Sequence, residues 1–175
     1  MTILNGSAGI MIGAEEAGCF RGTPDRVILG GPLKLYRLAG SRSGIAGPER
    51  GAWWFDGEML AALADDVLEA TYDGNAFTRR NILAGTRTDL AVKSSWSNMG
   101  WFCCLTLDAA QQLIGWRGEA LAQKDHGAGF FEGLLPGGGT QFFIPGLVTA
   151  LSVAITREPT HTALSRLSRT PNWRG

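Results

Sequence analysis

Glycine does most to limit what this chain can fold into. Twenty-five of its 175 residues are Gly, about twice the usual share of ~7%. They follow no G-X-Y period, and 45% of the chain is hydrophobic. Collagen and wholesale disorder are therefore excluded. What remains is a globular domain with many backbone positions that turn sharply or pass close to another group. Six Trp and eight Phe offer large surfaces for burial, which suits a packed domain rather than a coiled coil. A chain of this length makes one domain and buries roughly 68–70% of its unfolded surface, so it needs no disulfide or metal to hold a core.

Charge narrows the partners. Sixteen basic and sixteen acidic residues cancel, so no global field draws the chain to membranes or nucleic acid. Nucleic acid is expected only as a target of modification. Thirteen of the basic residues are Arg; the guanidinium fork suits phosphate or carboxylate, though genome composition also gives Arg-rich chains. Cys19, Cys103 and Cys104 cannot all pair, and the adjacent Cys103-Cys104 sits in an apolar run. These read as thiols in a reducing cytoplasm. His126 and His161 are isolated and there is no C-x-x-C, so no metal is expected. The apolar patch Ile10–Ile12 has no basic residue before it, and therefore lacks a signal-peptide n-region. No run reaches the ~18–20 apolar residues of a membrane span. Secretion, if it occurs, is expected through a dedicated delivery system.

The pattern along the chain predicts an α+β fold. Residues 1–26 read as an irregular lead-in, 27–156 as a single catalytic domain and 157–175 as a flexible basic tail. Strands are expected at Val27–Leu29 and Leu33–Leu38, separated by Gly30-Gly31-Pro32. A Gly/Ser/Arg loop over 40–50 leads to Trp53-Trp54-Phe55. Asp56 is a good N-cap for a helix over 57–70, and a second helix over 76–84 is expected to stop at Gly85. Short strands follow at Leu90–Lys93, Trp101–Leu107, Leu113–Arg117, Gln141–Ile144 and Ser152–Thr156. Helices followed by strands suit α+β better than alternating β-α-β units.

Common signatures are missing. No glycine cluster precedes Gly-Lys-Ser/Thr, no G-x-G-x-x-G opens a helix, and there is no G-x-S-x-G. A P-loop, a doubly wound dinucleotide fold and a hydrolase elbow are thereby set aside. Asp125-His126 is the one local acid–imidazole pair, in a Gly-rich loop; Asp65-Asp66 reads as a solvated helix face.

Three features carry chemistry together. Arg37 ends an apolar strand, where its fork suits a phosphate; an edge-strand charge meeting solvent is the plain alternative. Gly51-Ala52-Trp53-Trp54 delivers two indoles before a helix, one for the core and one for the wall of a flat aromatic ligand. Leu134-Leu135-Pro136-Gly137-Gly138-Gly139-Thr140-Gln141 runs three glycines into an apolar strand that holds a polar Gln. Such backbone can lie against a ligand, and Gln141 needs a partner from the protein or the ligand. A hairpin turn with Gln on its outer face fits the same spacing.

The order of these features, with the Pro-Gly-Gly-Gly-Thr-Gln string its specific part, resembles NAD-consuming toxin domains of the tuberculosis necrotizing toxin type. The likeness runs from about Leu33 to Pro145 and includes Gly115–Gln123. It implies an ADP-ribosyltransferase-like fold: short mixed or antiparallel strands in two small sheets, with one or two helices in the N-terminal half. It also implies NAD+ as substrate and a cognate immunity protein as partner. On that likeness Arg37 holds the pyrophosphate and Gln141 sits by the nicotinamide ribose, with Tyr36, Trp53, Trp54, Gly138, Gly139 and Thr140 at the substrate. A transferase adds a Glu that activates an acceptor, and only Glu119 and Glu132 lie near enough in sequence. The Gly-rich linker 124–134 and the Arg/Gly-rich loop 40–50 depart from the pattern. Hydrolysis is favoured; mono-ADP-ribosyl transfer to protein or nucleic acid, and a non-enzymatic binding module, are the alternatives.

Overall fold

The computed structural model describes residues 1–6, 10–40, 50–68, 76–125, 133–150 and 152–167. Expectations for His126 and Glu132, for most of the 40–50 loop, for the Asp65-Asp66 side chains and for the last eight residues lie outside these. Ten strands and four helices are described.

Eight of the strands form one continuous sheet. Its centre is β3 (Leu33–Ala39), β4 (Trp53–Asp56) and β9 (Thr140–Phe143). Strands β5 (Trp101–Leu107) and β10 (Ala154–Pro159) extend it beyond β3, and β6 (Gln111–Glu119) with β2 (Asp25–Gly30) beyond β9. The pairing changes partner within β4. Trp53 and Trp54 pair with Phe143 and Phe142, whereas Phe55 and Asp56 pair with Tyr36 and Leu35. The resemblance implied two small sheets; instead eight strands are continuous through this four-residue strand, and Gln123–Asp125 with Gly133–Leu135 form a separate two-stranded sheet. The α+β class holds.

Alternation explains the core. In β5, Cys103, Leu105 and Leu107 enter one apolar cluster with Leu35 and Trp54, while Phe102 faces a second one under the helices. That second cluster is roofed by α2 (Gly57–Leu68), through Met59, Leu60 and Leu63. Asp56 caps this helix as expected, its Oδ1 accepting the Met59 N–H at 2.9 Å. The following α3 (Ala76–Asp89) runs through Gly85 rather than stopping there. A Cβ on Gly85 would meet Leu63 Cδ2 at 2.8 Å, so this glycine serves close helix crossing instead of helix termination.

Val27–Leu29 and Leu33–Leu38 are strands as expected, and they pair not with each other but β2 with β6 and β3 with β4 and β5. Three other expectations are corrected. Leu90–Lys93 is a buried-to-half-buried loop, with Ala91 at φ 49°; an apolar run of four cannot distinguish a strand from a covered loop. The lead-in 1–26 contains β1 (Thr2–Ile3), parallel to β6, and the short helix α1 (Ala14–Ala17). The tail 157–175 begins by completing β10 and continues as α4 (Thr160–Leu167), with Ala163 and Leu164 buried. Together with the buried Thr160 they follow i, i+3, i+4 spacing along one helical face, a pattern hidden among four Arg.

Asn5 shows why the amino terminus is integral. It is 3% exposed; its Nδ2 donates to the Ile114 and Pro145 carbonyls at 2.7 and 2.8 Å, and its Oδ1 accepts the Ile114 N–H at 2.9 Å. Asn5→Ala strands those three backbone groups. The expected cost is about 3 kcal/mol, seen as a lower urea midpoint with unchanged slope; a shift under a few tenths of that would contradict the assignment.

Candidate functional site

The sequence features meet in a cleft beside β4. Atom-free space there amounts to about 740 Å³, including open solvent, and its wall contains Arg37, Trp53, Trp54 and Gln141. Residues separated by about a hundred positions converge because β3, β4 and β9 are consecutive in the sheet.

Arg37 is held by its surroundings. Its Nη1 donates to the Trp53 carbonyl at 3.2 Å, and the guanidinium lies against Gly51, where a side-chain carbon would overlap it. The missing side chain at Gly51 thus makes room for the guanidinium, which a Cβ there would displace. Burial lowers the Arg37 pKa from its ordinary value, yet an Arg remains charged in proteins. A cation stripped of water beside a cleft gains more from a bound anion than an exposed one does.

The two indoles divide the roles. Trp54 is 1% exposed and its Nε1 donates to the Gly51 carbonyl at 2.7 Å, so it is core and also fixes the Gly51 turn. Trp53 is half-buried, with ring centroids 5.3 Å from Phe20 and 5.0 Å from Phe143. Gln141 is buried, and its Nε2 donates to the Cys19 carbonyl at 3.3 Å. That bond fixes the orientation of a neutral amide at the cleft wall.

Other sequence candidates fall elsewhere. Tyr36 points to the opposite face of β3, packing on Phe55 and Phe102 and lining a separate depression with Lys34 and Leu60; strand alternation dictates this once Arg37 faces the cleft. Gly138, Gly139 and Thr140 do not line the cleft. Gly137 and Gly138 have φ of 69° and 97°. A Cβ on Gly139 would meet the Asp89 carbonyl oxygen and Met59 Cε at 2.9 Å. Gly137 and Gly139 thus approach the protein's own backbone, whereas Gly138 has only the Arg21 guanidinium near its Cβ position. Thr140 pairs with Glu119 across β9 and β6. Glu119 itself is exposed and bound to Arg21 at 3.3 Å.

The cleft also contains residues that the sequence did not mark: Cys19, Thr86, Trp96, Ser97 and Gln123. Cys19 was hidden in the apparent lead-in. Burial, then Glu15 and Glu16, raise its pKa, so it is a thiol at neutral pH rather than a nucleophile. Trp96, in Ser94-Ser95-Trp96-Ser97, had the signal of a large aromatic in a polar loop. Among the described residues, no Asp or Glu lines the cleft and no cluster of three His, Cys, Asp or Glu is placed to hold a metal.

No family model matches this chain, and no curated protein matches it. Among solved structures it is similar to one described as "Rhs1-CT in complex with cognate immunity protein RhsI1". The two share 19% identity over 80% of this chain and 83% of that one, with a TM-score of 0.46. A likeness at that score carries no argument about activity. No helix among the described residues is long and apolar enough to cross a membrane.

Proposed function

We propose that this protein consumes NAD+ by cleaving the nicotinamide–ribose bond, with water as the acceptor. The supporting observation is the convergence of Arg37, the Trp53-Trp54 pair and Gln141 on one cleft. Each has a structural explanation alone. A phosphate-type cation, an aromatic wall and an oriented amide in one concavity are what a dinucleotide with a cationic leaving group requires.

The chemistry asks little of a general acid. Nicotinamide leaves as a neutral molecule from a cationic ring, and the ribose passes through an oxocarbenium-like state related to that of glycoside hydrolysis. Positioning and electrostatics therefore do the work. Arg37 grips the pyrophosphate, Trp53 limits the ring's movement, and the Gln141 amide contacts the ribose. With no carboxylate among the described cleft residues, no strong base is present there to activate a protein or nucleic-acid acceptor. Among the described residues, that favours hydrolysis over mono-ADP-ribosyl transfer. A toxin role and an immunity protein that plugs the cleft belong to the same proposal, as does action in a reducing cytoplasm.

The test is where the ADP-ribose goes. With labelled NAD+ and a cell extract, the label is expected in free ADP-ribose. Label on a macromolecule would convert the reading to transfer, and intact NAD+ would reject both. Gln141→Ala is expected to lower turnover roughly 100-fold, the scale of one lost transition-state contact, while losing only its single bond to Cys19.

A further inference from the structure

Resting on the NAD+ reading, we infer that Trp96 is the stacking platform for the adenine end of the dinucleotide, and that the loop around it is built to hold that indole at the cleft. Trp96 lines the cleft yet stays 55% exposed. Trp54 is buried in the core, and Trp53 packs on Phe20 and Phe143 and keeps only part of its ring at the cleft. Trp96 is the most exposed of the three and has the largest ring surface to offer a ligand.

Its loop is fixed from two sides. Asp125, buried on β7 (Gln123–Asp125), accepts the Ser94 N–H at 3.0 Å and the Ser94 hydroxyl at 2.9 Å. Arg87 on α3 donates to the carbonyls of Val92 and Ser97 at 3.2 and 2.9 Å. Four bonds to both flanks of an exposed Trp make a preorganised ring rather than a chance surface residue.

Charge decides which end of the ligand it takes. The Lys93 ammonium sits 4.7 Å from the Trp96 ring centroid, already using the negative face potential of the indole. The nicotinamide ring of NAD+ is itself cationic and would be repelled by that ammonium. Adenine is neutral, stacks on aromatic side chains, and brings phosphates that the same ammonium attracts. The nicotinamide is left to the Trp53–Gln141 part of the cleft.

The experiment is a calorimetric titration of the full 175-residue chain with ADP-ribose and, separately, with nicotinamide mononucleotide, which lacks adenosine. Trp96→Ala is expected to weaken ADP-ribose binding about tenfold, the scale of one base stacked on an aromatic ring. Trp96→Phe restores most of it, and nicotinamide mononucleotide binds both variants as it binds the parent. Unchanged ADP-ribose affinity in Trp96→Ala, equal loss for both ligands, no rescue by Phe, or a parent that does not bind ADP-ribose would each overturn the inference. A parent that binds ADP-ribose through Trp96 but leaves NAD+ intact would overturn the proposed reaction and not this subsite.

Discussion

Arg37→Lys is expected to lower kcat/KM for NAD+ by roughly 100-fold, the scale of a lost fixed donor or a misplacement of about 1 Å. Lysine keeps a positive charge on a flexible stem but loses the fork that meets two phosphate oxygens at once. The sign of the pH dependence follows from burial. This pocket already lowers the pKa of Arg, and an ammonium is far easier to deprotonate. The charged Lys is therefore favoured as pH falls, so the deficit of Arg37→Lys shrinks toward acid and grows toward alkali relative to the parent. Gly51→Ala is the companion variant. Its methyl group would overlap the guanidinium, moving Arg37 without changing its chemistry. If Arg37 is the clamp, Gly51→Ala shows a similar loss, measured as nicotinamide release over a substrate range. Full activity in Gly51→Ala would sink the clamp assignment.

Gly137→Ala is expected to be the most destabilising glycine replacement in the Gly137–Gly139 run without any direct effect on chemistry. Gly137 has φ 69°, and a Cβ there would overlap the Ala120 carbonyl oxygen. Left-handed backbone costs an alanine ~1–2 kcal/mol, and overpacking adds ~1–3. A loss of about 3 kcal/mol lowers Tm by roughly 6–12 °C in a domain of this size. Gly138, also in the positive-φ region, has only Arg21 Nη2 near its Cβ position, at 3.9 Å; its alanine variant costs about 1 kcal/mol. Thermal melts rank the two. Equal melting points, or loss of activity in a well-folded Gly138→Ala, would revive the idea that this run lies against a ligand.

Part of this was legible in the sequence because local rules fix it. The Asp56 cap, the α2 spacing and the alternating strands β5, β6 and β9 follow from propensity and periodicity. So does the deeper burial of one of the two neighbouring indoles, Trp54. Tyr36 fails by the same rule: adjacent to Arg37, it belongs to the other face. Gly137 and Gly139 misled because close approach to a ligand and to one's own carbonyls demand the same residue. What sequence could not supply is long-range. Nothing in Met1–Gly6 announces that Asn5 bonds to residue 114, and nothing near Cys19 announces a bond from Gln141. Trp96 joins the site through Asp125 and Arg87, contacts that exist only after the chain has closed.

The central claim is that Arg37, Trp53 and Gln141 form a site for breaking the nicotinamide–ribose bond. It is tested most directly by incubating the purified chain with NAD+ alone and following free nicotinamide and ADP-ribose over hours. The account predicts both products in equal amounts from the parent protein, and strong loss in Arg37→Lys and Gln141→Ala, provided these variants melt as folded proteins. NAD+ that persists undiminished, or cleavage that survives both substitutions, would contradict it.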